Sequence, residues 1–229
     1  MTNLDLYARA QHLLAIEEAT KILHDIYRSQ LKNYNIKTLL DVGCGDGNFI
    51  QQLSSDGIKC KGIDLSKTMI DLSISKGLDA ECIDIVDENN KYDAIVTIFD
   101  VLNFMDKDSL LKFLDSVSNR LNEGGVFIAD INTLFGFSEV ADGTMSNDTQ
   151  NEFLSIDAVY ENEKLHTILT LFEKNSDNTF TKHQNTIVQY FHKIKIFQNF
   201  KGLKLVEKSK ISLYAKDDKV LLKFIKSNK

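Results

Sequence analysis

The sequence predicts an α/β fold, with a mostly parallel sheet, helices on both faces and a small antiparallel insertion after the fifth strand. Three observations predict it. Short apolar runs alternate with helical stretches between residues 38 and 131. A glycine-rich turn joins the first run to the helix after it. From about residue 150 the helical period gives way to apolar–polar alternation broken by Asn/Asp turns.

Each element follows from its pattern. Leu6, Ala10, Leu13, Leu14, Ala15, Ile22, Leu23 and Ile26 recur at helical spacing without an intervening glycine, which predicts one helix over residues 4–31. Strands are predicted at Thr38–Val42, Lys59–Asp64, Ala80–Asp84, Tyr92–Phe99 and Gly125–Ile131. Helices are expected between them, at about 46–56, 67–76 and 107–121, the last stopped by Asn122-Glu-Gly-Gly125. Phe153–Tyr160, Leu165–Phe172 and Thr179–Gln189 read as an antiparallel meander, Ile194–Phe200 as helix, and Leu203–Ile211 and Val220–Ile225 as closing strands. The organisation expected is one domain. Residues 1–35 form a helical segment, 36–135 a binding core, 150–190 an antiparallel roof and 191–229 the closing strands.

Composition narrows the function. The 229 residues contain no proline, where roughly 5% is usual, so cis-proline turns and proline-dependent motifs are excluded. The net charge of −6 argues against a double-stranded nucleic-acid partner. The charge is uneven: residues 193–229 carry +8 and the rest −14. Lysines on solvated outer faces account for that tail, as does an electropositive rim for an anionic substrate, and both readings stay open. Cys44, Cys60 and Cys82 show no CxxC spacing, so no metal site is expected, and a reduced, cytoplasmic setting is. No apolar run approaches membrane-spanning length, so no membrane partner is expected.

The strongest signal is Asp41-Val-Gly43-Cys44-Gly45-Asp-Gly47, between a predicted strand and a predicted helix. Glycines there allow a sharp turn and bring a ligand against bare backbone. The spacing is G-x-G-x-G, with Asn48 where a dinucleotide fold places its third glycine, and no P-loop pattern occurs. Asp64 ends the second strand, 23 residues after Asp41, where a carboxylate accepts ribose hydroxyls. Asp84 ends the third, followed by Ile85. Asp41 as a plain turn cap and Asp84 as an N-cap remain alternatives.

In order and spacing these motifs, with Leu121-Asn-Glu-Gly-Gly-Val-Phe-Ile-Ala-Asp130, resemble the class I S-adenosylmethionine-dependent methyltransferases of small-molecule type. The resemblance is specific over about residues 36–132 and looser over the whole chain. It implies a Rossmann-like, seven-stranded sheet and S-adenosylmethionine as cofactor. It also implies a cofactor site of Tyr7, Asp41, Gly43, Cys44, Gly45, Gly47, Asp64, Leu65, Asp84, Ile85, Ile98 and Phe99. The absence of proline excludes the subclasses that rely on Asn/Asp-Pro-Pro-aromatic or Pro-Cys motifs after strand four. Asp100 to Asn103 instead resembles small-molecule enzymes, whose antiparallel insertion covers the acceptor. His183, Tyr190 and Asp100 are the candidate catalytic residues.

The expected activity is methyl transfer to a small-molecule or natural-product acceptor, as in antibiotic biosynthesis, by in-line displacement. Two alternatives are 3-amino-3-carboxypropyl transfer to a nucleotide or peptidyl-nucleotide, as in microcin C-type antibiotic biosynthesis, and a non-catalytic cofactor-binding subunit. The partner expected is a small-molecule or nucleotide-like substrate, with the chain a monomer or homodimer.

Overall fold

The computed structural model describes residues 3–198 and 200–226. Helices α1 (Asn3–Ala10) and α2 (Glu17–Leu31) precede β1 (Thr38–Val42), α3 (Asn48–Ser55), β2 (Lys59–Ile63), α4 (Lys67–Ser75) and β3 (Ala80–Glu81). Then follow β4 (Tyr92–Thr97), α5 (Lys107–Arg120), β5 (Leu121–Asn132), β6 (Gly143–Asp148), β7 (Glu152–Glu161), β8 (Lys164–Lys174) and β9 (Phe180–Tyr190). The short α6 (Lys195–Gln198), β10 (Leu203–Ile211) and β11 (Lys219–Lys226) complete it. Seven strands form one sheet in the order β10-β11-β5-β4-β1-β2-β3, and β6-β7-β8-β9 form a second, antiparallel sheet. In the larger sheet β10 and β11 are antiparallel and the other pairings parallel, apart from β11 on β5.

The helices cover both faces because the central strands are apolar on both. Leu40, Ile95 and Phe127 pack with Leu110, Phe113 and Val117 of α5. Their neighbours Leu39, Ala94, Val96 and Val126 pack with Leu23, Tyr27 and Leu31 of α2 and Phe49 and Leu53 of α3. Alternate residues thus feed two separate cores, as the pleat requires. Among the described residues no helix is long and apolar enough to cross a membrane.

Four expectations are corrected. The helix over 4–31 is broken: α1 ends at Ala10, a 3-10 turn spans Gln11–Leu13, and Ala15 takes a left-handed φ of 52°. The cause is tertiary. Leu6, Ala10, Leu13 and Leu14 pack on Leu154, Leu169 and Leu171 of the small sheet, whereas α2 packs on the large one, and one straight helix cannot face both. The third strand stops at Glu81, so Asp84 lies in a loop, where its Oδ1 accepts from Val86 N at 3.0 Å. The insertion has four strands, because β6 precedes the three predicted and a π-helical turn, Gly136–Ala141, leads into it. Finally, the helix at 194–200 shortens to α6.

A buried ionic network ties these parts together. Lys219 Nζ, at the start of β11, lies 2.6 Å from Asp100 Oδ1 and 3.2 Å from Asp130 Oδ2, almost fully buried. Burial pulls its pKa down and the two carboxylates more than reverse that, so it sits above the ordinary lysine range. Asp130 also accepts from the backbone N–H of Phe99 (2.9 Å) and Asp100 (3.0 Å), and the Tyr27 hydroxyl is 2.8 Å from its Oδ1. Asp100 Oδ2 accepts from Asn132 at 3.0 Å and from Gln189 of β9 at 2.6 Å. Replacing Lys219 with methionine keeps the volume but strands two buried carboxylates. We predict a loss of about 3–5 kcal/mol in unfolding free energy, measured by denaturant titration.

Candidate functional site

The sheet order reverses between β1 and β4, since the chain runs from β1 outward to β2 and β3, then returns to β4 on the other side. Ligands bind beyond the strand C-termini at such a point. Two turns frame it. After β1, Gly43, Gly45 and Gly47 take φ of 78°, 55° and 79°. After β4, Phe99 and Asp100 are also left-handed, at 64° and 49°, a strained pair held by the Asp130 carboxylate. The glycines differ in what they allow. A Cβ on Gly47 would lie 2.1 Å from Ser73 Oγ and 2.6 Å from Leu78 Cδ1, so Gly47 serves close packing on α4. A Cβ on Gly45 meets nothing within 4 Å and would project into open space.

That space is a cavity of about 500 Å³. Its floor is the turn from Asp41 to Asp46, its sides come from Asp64, Asp84, Ile85, Ile98 and Phe99, and its cover from Tyr7 and from Ile187 and Val188 of β9. Four carboxylates line it (Asp41, Asp46, Asp64 and Asp84) and, among the described residues, no lysine or arginine does. Asp41 is buried, with no hydrogen-bond partner on Oδ1. Burial, then the nearby Asp64 charge, pushes its pKa up to about 8. Asp64 accepts from Gly45 N at 3.0 Å and Ser66 N at 2.8 Å, and burial raises its pKa against those bonds. Burial, followed by the Asp100 charge, raises the Tyr7 hydroxyl above its ordinary range, so it stays protonated.

Of the expected cofactor residues, Tyr7, Asp41, Gly43, Cys44, Gly45, Asp64, Leu65, Asp84, Ile85, Ile98 and Phe99 line the cavity, and Gly47 lies behind it. The expected catalytic residues are placed differently. His183 lies outside the cavity, with Nε2 3.0 Å from Glu173, which also pairs with Arg9 of α1. Tyr190 holds its ring under the Lys164 ammonium, 5.5 Å from the centroid, also outside. Asp100 has both oxygens engaged in the buried network. The small sheet accounts for His183, which pairs across the strands with the buried Leu171 at the end remote from Ile187. Residues that sequence reasoning passed over include His24, Thr20 and Gln11, brought to the cavity by the unforeseen break before α2.

Known proteins share the fold and part of the sequence pattern. Residues 39–125 match the family described as a methyltransferase domain. That match takes in the glycine turn, Asp64, Asp84 and the strands β1 to β4 that carry the cavity. A protein of Geobacillus sp. (strain WCH70), assigned as a methyltransferase, is 22% identical over 188 residues, 76% of each chain. An S-adenosylmethionine-dependent methyltransferase from Clostridium acetobutylicum ATCC 824 shares the fold at a TM-score of 0.81 and 22% identity, covering 97% of this chain and 99% of that one. The sugar N-methyltransferase KedS8 from Streptoalloteichus sp ATCC 53650 does so at 0.74 and 14%, covering 98% and 93%. The cavity suits S-adenosylmethionine, the cofactor that the sequence resemblance implies. Its orphaned Asp41 oxygen and cation-free acidic lining match a sulfonium and an ammonium, where a pyrophosphate would be repelled.

Two predictions follow from this geometry. A cationic ligand group beside Asp41 lowers its pKa, so binding S-adenosylmethionine near pH 7 releases a proton from that carboxyl, and affinity rises with pH until about 8. Calorimetry in buffers of different ionisation enthalpy should detect the release, and Asp41→Asn should abolish it. In the ligand-free protein the same raised pKa lowers stability as pH climbs from the ordinary carboxylate range to about 8, because the folded state keeps a proton the unfolded chain has lost. The glycines should separate binding from folding. Gly47→Ala costs about 1–3 kcal/mol of stability by overpacking on Ser73 and Leu78. Gly45→Ala costs about 1 kcal/mol of backbone strain but lowers cofactor affinity on the order of tenfold, read by calorimetry and thermal melts.

Proposed function

We propose that the protein transfers the methyl group of S-adenosylmethionine to a nucleophile on a small molecule, with an amine as the first acceptor class to test. One observation carries the reading: Ile187 and Val188 of the small sheet line the same cavity of about 500 Å³ as the acidic turn, a size that suits the cofactor and a compact acceptor. Asp41 meets the cofactor's amino group, with the backbone of Gly43, Cys44 and Gly45 along its methionine. Asp64 takes the ribose hydroxyls, Asp84 and Ile85 the adenine, and Leu65, Ile98, Phe99 and Tyr7 flank it. When bound, the cofactor supplies a methyl group already activated by the sulfonium charge. The chain's task is to align the acceptor in line and keep water out.

The positions of His183, Tyr190 and Asp100 favour an acceptor that needs no dedicated base, as a neutral amine does not. The likeness to a sugar N-methyltransferase supports the same class. The basic tail lends little to the nucleotide-acceptor alternative. Lys193, Lys219 and Lys226 pair with carboxylates outside the tail (Glu163, Asp100 with Asp130, and Glu123), so part of the +8 is neutralised locally.

Incubation with S-adenosylmethionine and panels of amino sugars, aliphatic amines and alcohols, with products identified by mass spectrometry, tests this. S-Adenosylhomocysteine and an N-methylated amine are expected. Methylthioadenosine as by-product would instead establish aminocarboxypropyl transfer.

A further inference from the structure

The cofactor's methionine end is a zwitterion, and only half of it finds a partner in the acidic lining. The ammonium has Asp41, whereas a carboxylate entering a wall of four aspartates needs a donor that no lysine or arginine provides. Among the lining side chains, Asn48 spends its amide on Asp46, at 2.9 Å, the Thr20 hydroxyl donates to Ile16 O at 2.8 Å and the Ser66 hydroxyl to Asp5 at 2.9 Å; Gln11 and Tyr7 are further donors in the lining. His24 of α2 is different. It is 7% exposed, lines the cavity, and packs on Phe49 with ring centroids 4.9 Å apart. Gln52 of α3 lies 3.2 Å from its Nδ1. An amide donating to Nδ1 puts the ring proton on Nε2, which has no protein partner among the described residues.

We propose that His24 Nε2–H is the donor for the α-carboxylate of the cofactor's methionine. The inference rests on the methionine lying along the glycine turn, as in the reading above. The surroundings favour an anion there. The N-terminus of α3 meets this corner; Asp46 Oδ1 accepts from the Asn48 N–H at 3.3 Å, and the N-cap Gly47 brings no side chain of its own to the N–H groups of Phe49 and Ile50. The two carboxylates that bear on His24 electrostatically are Asp46 and Asp25. Asp46 is neutralised by Lys76 at 2.8 Å. Burial outweighs both and lowers the His24 pKa, so the ring binds as a neutral donor.

The test compares two ligands by calorimetry. S-Adenosylhomocysteine carries the amino-acid end, and 5′-methylthioadenosine lacks it. His24→Phe retains the packing on Phe49 and removes the donor. It should weaken S-adenosylhomocysteine about 10- to 100-fold and leave methylthioadenosine unchanged. His24→Gln, which keeps an N–H within reach, should recover most of the loss. Gln52→Leu, at an exposed position outside the core, should show a smaller loss for S-adenosylhomocysteine alone. Unchanged affinity in His24→Phe, or an equal loss for both ligands, overturns the assignment. Asp64→Asn with both affinities intact would instead overturn the placement of the cofactor itself.

Discussion

The fold depends on one buried cation. Lys219 joins the last strand of the large sheet to the carboxylates that end β4 and β5, and Asp100 extends the network to Gln189 of the small sheet. Tyr27 brings in α2. Five segments distant in sequence therefore meet at one charge pair and a half, and each carboxylate oxygen has at least one donor. The arrangement is costly to desolvate and stable only when complete. Its product is local: Phe99 and Asp100 are held in left-handed conformations that a free chain would abandon, and Phe99 is thereby set against the cavity.

The two faces of this construction divide the work. The glycine turn and its four aspartates build a surface for a cation, without a single cationic side chain among the described lining residues. The small sheet contributes apolar cover and takes part in the network through the Gln189 amide. Transfer from a sulfonium needs alignment and dryness more than proton transfer. The placing of His183 and Tyr190 outside the cavity accords with that.

The architecture was legible wherever the pattern was local. Alternating strand and helix signals, the Asp41–Gly47 turn and the carboxylates Asp64 and Asp84 located the sheet and the cavity wall, although Asp84 proved to lie in a loop beyond β3. What was not legible came from contacts between distant residues. Leu13 and Leu14 look like any helical apolar pair, and only the presence of Leu154 and Leu171 pulls them out of register. His183 read as a base because it lies at the end of the meander expected to cover the acceptor. The salt bridge to Glu173 that sets its placement spans two strands. Lys219 looked like one more solvated lysine of a basic tail, since nothing adjacent in sequence announces Asp100 and Asp130.

The broken N-terminal helix has a consequence for synthesis. Arg9 meets Glu173 across 164 residues, and α1 packs on strands that a ribosome delivers much later. Helix α1 is made before the small sheet, so Leu6, Ala10 and Leu13 stay uncovered until that sheet exists. The cavity acquires its cover only then, and its anchor only when Lys219 arrives. Completion of the cavity thus falls late in synthesis, with α1 docking after the strands it precedes.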